Sequence, residues 1–294
     1  MNPNQKLGIC KQTRTVAIKA LEITLSQVLK TKKQISEVGF RDLWLKELRK
    51  NFAVFADGWY IPPPHGISVL FGTDENIQRV NTTSIRPPEF WPKDDAFLDF
   101  HKGIIFLYAS PVDKKSGIIG DFGLTMYLGS NTKIKKHLQK CWQINHEIFG
   151  IAQEGMKFCE LYVHTQKILA AHNLVNDLLS PSDPTGTNMG HTIPASYEDW
   201  QENEKVILHN AEKNWPAVCD MISHKRKFVN SVETQTIQAG MALTIEPRPF
   251  DLNDPIIPRV YFHTIALFKG DHHKEFLADF RELFKLAGMD YLLS

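Results

Sequence analysis

The chain has 294 residues, of which 43% are hydrophobic and 23% charged, a balance that supplies ample apolar material for a core and excludes a disordered or fibrous protein. Its 34 basic and 33 acidic side chains leave a formal net charge of +1, which excludes a long-range field for nucleic acid or anionic lipid. Gly103 to Leu107 is apolar but far too short for a membrane span, and Met1 to Lys6 lacks a signal-peptide core.

Along the chain, Thr13 to Lys30 repeats apolar residues with a helical rhythm, and Ser36-Glu37 opens a second amphipathic segment carrying Phe40, Trp44, Leu45 and Leu48. Trp59 to Phe71 is rich in proline and β-formers and is followed by a polar stretch from Gly72 to Asp95. Ile104 to Tyr108 and Thr125 to Leu128 read as strands around a Pro/Asp/Lys/Gly turn. The layout then recurs: a helix over Lys133 to Ala152, a break at Gln153 to Met156, a helix over Glu160 to His172, then loops and strands. Asp199 to Trp215 reads as an exposed helix or lid, Ala242 to Glu246 and Val260 to Phe268 as strands, and Lys274 to Leu293 as a closing helix. Two halves of similar order predict one pseudo-symmetric mixed α/β (α+β) domain over residues 1–294. Cys10, Cys141, Cys159 and Cys219 are scattered without a CxxC pair, the usage of reduced thiols in a cytoplasmic protein.

Three side chains stand out as candidate metal ligands. Asp121 sits between Gly117-Ile118-Ile119-Gly120 and a strand; His191 lies in Gly190-His191-Thr192-Ile193-Pro194; Glu246 ends the apolar run Met241-Ala242-Leu243-Thr244-Ile245. A carboxylate at the end of a buried strand is costly unless a cation pairs with it. Each residue also has a plain structural explanation, as a turn aspartate, a loop histidine or an exposed strand end.

Together these segments resemble the pita-bread family of methionine aminopeptidases, Xaa-Pro aminopeptidases, prolidases and creatinase. Thr244-Ile245-Glu246-Pro247 after Gly240-Met241 is the most specific piece, joined by the Glu154 to Leu161 turn and by Trp59 to Gly72. The resemblance runs from about Arg14 to Phe268 and implies a pseudo-two-fold pair of helix–helix–strand halves around a curved antiparallel sheet. It matches Asp121, His191 and Glu246 to three of the family's five metal ligands. Tyr108 stands at the first aspartate and Phe262 at the last glutamate, the carboxylates that chiefly build the second metal position.

The implied cofactor is therefore one divalent ion, with iron or manganese favoured and zinc compatible. Tyr108, Phe262, His263 and Trp59 are expected to wall the substrate pocket, and a one-residue strand slip would turn His263 inward as a second imidazole. The family's proton-shuttling histidine is replaced by Glu198, and His65 in Pro62-Pro63-Pro64-His65-Gly66 is a candidate acid/base. Three functions follow: a mononuclear enzyme acting on a small amino-acid-derived molecule by C–N hydrolysis or oxygen-dependent chemistry, an inactive binding protein, or a one-metal Xaa-Pro peptidase. The expected partner is a small-molecule substrate, without nucleic acid or membrane, and a homodimer stays open. Restoring Tyr108→Asp with Phe262→Glu is expected to admit a second ion.

Overall fold

Asn2 and Ser36 open the first two helices. Asn2 and Gln5 form a reciprocal capping box ahead of Pro3, so α1 (Pro3–Thr31) begins at Pro3, well before Thr13 where the apolar rhythm starts. Ser36 accepts from the Gly39 amide and starts α2 (Glu37–Leu48). The computed structural model describes residues 1–254 and 256–293. Among them no helix is long and apolar enough to cross a membrane.

The central sheet has six strands, all antiparallel to their neighbours. The first half supplies β1 (Ile67–Thr73), β2 (Gly103–Ala109) and β3 (Phe122–Tyr127). Helices α3 (Thr132–Ile151) and α4 (Phe158–Ala171) begin the second half. A two-residue strand β4 (Val175–Asn176) pairs with β6 (Pro249–Phe250) away from the main sheet. After α5 (Glu202–His209) and α6 (Trp215–Lys225) come β5 (Ala242–Ile245), β7 (Phe262–Gly270) and β8 (His273–Leu277). The order is β1-β2-β3-β7-β5, with β8 on the extension of β7. Thr192 bridges to Leu243 beside β5, so each half lays down three ribbons in mirrored order and the halves meet at the β3–β7 seam. There Gly123 faces His263 and Leu124 faces Phe262.

Strand alternation sorts these residues onto two faces. Phe122 and Phe262 turn toward the helices, where Phe122 meets Trp44 of α2 and Phe262 meets Trp142 of α3. Phe106, Tyr108, Gly123, Tyr261 and His263 share the other face, with Phe106 stacked on Tyr261 and Tyr108 edge-on to His263.

One expectation is corrected. The segment from Lys274 is not one helix. Asp271 and His272 adopt positive φ and close a two-residue hairpin between Gly270 and His273; only after β8 does the chain form the short helix α7 (Arg281–Leu286). Of the two readings of residues 199–215, the exposed helix holds, since α5 buries none of its residues, and the flanking tryptophans tie the segment down. Trp200 donates to the Ser116 carbonyl, and Trp215, which starts α6, donates to the Gly58 carbonyl. Val218 and Ile222 of α6 are fully buried in a second apolar core.

Helix α1 reaches the seam through Arg14, which is fully buried. Its guanidinium donates to the backbone carbonyls of Asp121 and His263 and pairs with Asp279 at 2.9 Å. Gly120 permits this approach, because a Cβ there would collide with the Arg14 backbone nitrogen. Arg14→Met strands two buried carbonyls and is expected to cost about 2–4 kcal/mol in denaturant unfolding. Arg14→Lys is expected to recover only part of that loss, since one ammonium cannot span three acceptors.

Candidate metal centre

Asp121 precedes β3 and is fully buried. Its Oδ1 accepts from the Trp59 indole at 2.7 Å, while Oδ2 is buried without a hydrogen-bond partner among the described residues. His191 is carried in against β5 by a close backbone approach: its amide donates to Thr244 Oγ1 at 2.7 Å, and a Cβ at Gly190 would overlap the Thr244 carbonyl. His191 Nδ1 lies 2.9 Å from the Thr192 carbonyl. That acceptor assigns the proton to Nδ1 and leaves the Nε2 lone pair facing the site. His263 is buried with neither ring nitrogen hydrogen-bonded among the described residues. Glu246 follows β5; its Oε1 accepts from Thr244 at 3.0 Å and its Oε2 from the Tyr261 hydroxyl at 2.7 Å.

These four side chains converge. His191 Nε2 lies 3.7 Å from Asp121 Oδ2 and 3.4 Å from Glu246 Oε1, and His263 Nε2 lies 3.6 Å from Glu246 Oε2. One donor atom each of Asp121, His191 and His263 falls within a mutual 4.8 Å. Donors held at about 2.0–2.2 Å from one ion stand roughly 3–3.6 Å apart; the two separations to Glu246 fall in that range and His191 to Asp121 lies just beyond it. The unpartnered Oδ2 and imidazole nitrogens fit a shared divalent ion, because such buried atoms are otherwise expensive.

Electrostatics point the same way. Burial pushes the Asp121 carboxyl up to about 7, against the Trp59 hydrogen bond that lowers it. Burial also raises Glu246 despite its two hydroxyl donors. Burial holds His191 and His263 well below the ordinary imidazole value, assisted by Arg226 and Arg14 respectively. The histidines are thus neutral, metal-ready donors, and for both acids burial outweighs the nearby arginines that favour the ionised form.

Of the residues picked out in the sequence, Asp121, His191 and Glu246 are brought together, and Trp59 acts as a donor to Asp121. His263 joins them without any strand slip, since it shares a face with Tyr261 and Tyr108. Phe262 is the correction: it does not wall the pocket but packs among Trp142, Phe280 and Phe284 behind the sheet. Tyr108 lines the cavity next to the cluster, paired with Gly123; continuing that register sets Ser110, not Tyr108, across from Asp121. His65, Glu198 and, of the expected pocket walls, Trp59 and His263 lie outside the lining of that cavity. His65 pairs with Asp57 at 3.0 Å, and the Glu198 carbonyl accepts from Lys6 at 2.9 Å. Sequence reasoning missed Arg226, Arg248, Tyr60 and Tyr261, which line the same cavity. Arg248 was findable, standing two residues beyond Glu246 in Glu-Pro-Arg; Arg226 was hidden in a basic run, His224 to Lys227, that reads as a solvated surface.

Residues 15–263 match the model of metallopeptidase family M24, and the chain belongs to that family. Solved structures with the same pita-bread fold include an X-Pro aminopeptidase from Thermotoga maritima, 12% identical, with TM-score 0.60 over 94% of this chain and 61% of that one. A prolidase from Pyrococcus horikoshii is 13% identical, with TM-score 0.59 over 94% of this chain and 62% of that one. A methionine aminopeptidase from Rickettsia prowazekii is 13% identical, with TM-score 0.58 over 94% and 97% of the two chains. The chain thus spans 61–62% of the length of the first two. At these identities the likeness is one of fold. No curated protein matches the sequence.

Two outcomes follow from this geometry. Because Asp121 must be ionised to ligate and its pKa is about 7, Mn²⁺ affinity is expected to fall about tenfold per pH unit below 7 and level off above it, read by titration calorimetry. Phe262→Glu is expected to destabilise the protein by about 3 kcal/mol or more, placing an unpaired carboxylate among aromatic rings. It is not expected to create a second metal position; metal analysis of the Tyr108→Asp, Phe262→Glu double variant checks this.

Proposed function

We propose that this chain is a mononuclear metal-dependent enzyme acting on a small, amino-acid-derived molecule. The observation that carries the reading is the set of buried, unpartnered donor atoms on Asp121 and His263 facing the His191 Nε2. Asp121, His191 and His263 would hold the ion, with Glu246 beside both imidazoles. Two imidazoles and one carboxylate are the donors of non-haem ferrous sites, so iron and oxygen-dependent oxidation are favoured over hydrolysis. A divalent ion bound there would supply Lewis acidity and, as Fe(II), access to dioxygen.

The chain's own groups do the rest. Trp59 fixes the orientation of Asp121, and the Thr192 carbonyl sets the His191 tautomer. Glu246, its carboxyl raised by burial, can take and return a proton at Oε2 through the Tyr261 hydroxyl. Tyr60, Tyr108 and Phe228 wall the cavity and limit water. A second reading, one-metal hydrolysis of a C–N bond, draws on membership of a metallopeptidase family; Glu198 in the place of the family's proton-shuttling histidine counts against it. The four free cysteines fit a cytoplasmic setting.

Elemental analysis of anaerobically purified protein is expected to give about one iron or manganese per chain. Asp121→Ala, His191→Ala and His263→Ala are each expected to lose it. Full retention of metal by His263→Ala would refute the ligand set, and no metal in the parent protein would favour a binding role. Turnover of dipeptides under argon would select hydrolysis.

A further inference from the structure

The cavity beside the candidate metal ligands is lined by two arginines with no direct ion-pair partner among the described residues. Arg226 is 7% exposed and Arg248 5% exposed, yet neither forms a salt bridge among the described residues. Arg226 donates to Ser182 Oγ at 2.9 Å and Arg248 to the Thr82 carbonyl at 2.7 Å, while Arg248 Nε is buried without a hydrogen-bond partner. Buried guanidinium groups are costly unless a counter-charge arrives.

The two nearby acids are kept from filling that role. The Trp59 indole donates to Asp121 while its face carries the Arg226 guanidinium, 4.6 Å from the ring. The Tyr261 hydroxyl donates to Glu246 while its face carries the Arg248 guanidinium, 4.5 Å from the ring. Each aromatic residue thus holds an acid at its polar edge and an arginine on its π-face. With Asp121 and Glu246 balanced by a divalent ion, the two arginines leave the cavity with two uncompensated positive charges.

We propose that this site takes a small dicarboxylate, or an acidic amino-acid derivative with two carboxylates, and that Arg226 and Arg248 receive its anionic groups. The guanidinium fork matches a carboxylate bidentately, and stacking on Trp59 and Tyr261 fixes each fork before binding. The inference rests on the mononuclear-metal reading, since without the ion the negative charges of Asp121 and Glu246 would offset the positive charges of the arginines across the cavity even though no direct pair forms.

The test uses desalted, Mn²⁺-loaded protein and calorimetric titration with succinate, butanoate and inorganic phosphate. Succinate is expected to bind at least thirtyfold more tightly than butanoate and more tightly than phosphate. Arg226→Gln and Arg248→Gln are each expected to weaken succinate at least tenfold while keeping one Mn²⁺ per chain. The comparison of ligands on the unmutated protein decides the matter even where a variant does not fold. One Mn²⁺ per chain with succinate no tighter than butanoate, or phosphate equal to succinate, would overturn this inference alone. A chain that takes up no Mn²⁺ would overturn the metal reading and this inference with it.

Discussion

The guanidinium of Arg14 holds the two halves of the site at a common distance. It stands behind the sheet and grips the backbone carbonyls of Asp121 and His263, one from each side of the β3–β7 seam. The candidate ligands Asp121 and His263 are therefore positioned through their main chain, leaving their side chains free to face His191 and Glu246. Phe122 and Phe280 cover the guanidinium at 5.4 and 5.3 Å, and Asp279 balances it at the rim. The second half repeats the device in neutral form. Asn145 of α3 donates to the Phe262 carbonyl at 2.7 Å, one residue from His263. Both helical layers thus reach the seam with a buried polar side chain, which ties the placement of the donors to helix packing.

In front of the sheet the problem is reversed, because charges there must be kept apart. Asp121, Glu246, Arg226 and Arg248 are all buried, and direct pairing of acids with arginines would quench the site. Trp59 and Tyr261 prevent this by offering a donor edge to the acid and a ring face to the cation. The arrangement carries a desolvation cost that neutral side chains would avoid. Such a cost is tolerated where charged ligands arrive to offset it, as perturbed groups clustered in one cavity suggest.

Much of this was legible in the sequence, and the failures have physical causes. Helices α2, α3 and α4 followed from apolar rhythm and caps, and Asp121, His191 and Glu246 as a set from the family resemblance carried by Thr244-Ile245-Glu246-Pro247 and the segments around it. The N-terminal turns of α1 escaped because Gln5 to Gln12 mixes polar and apolar residues without a clear stripe. The segment at Lys274 escaped because the hairpin depends on left-handed backbone at Asp271 and His272, which neither residue announces as strongly as glycine. Arg226 escaped because a basic run gives no hint that one member turns into an aromatic pocket.

Phe262 and His263 show where a motif match and strand geometry part company. A strand of period two sends one of two neighbours to each face. Phe262 has an aromatic niche behind the sheet, formed by Trp142, Phe280 and Phe284, and Tyr261 has a hydrogen bond to Glu246 in front. Both contacts demand the same phase, and that phase turns His263 toward Asp121 and His191. The exchange alters what the site can bind. A carboxylate offers two oxygens and can bridge two ions, whereas an imidazole presents one lone pair to one ion. With Tyr108 contributing a phenol that burial holds in its protonated form, and His263 contributing one nitrogen, these donors support the single-ion reading proposed for the site.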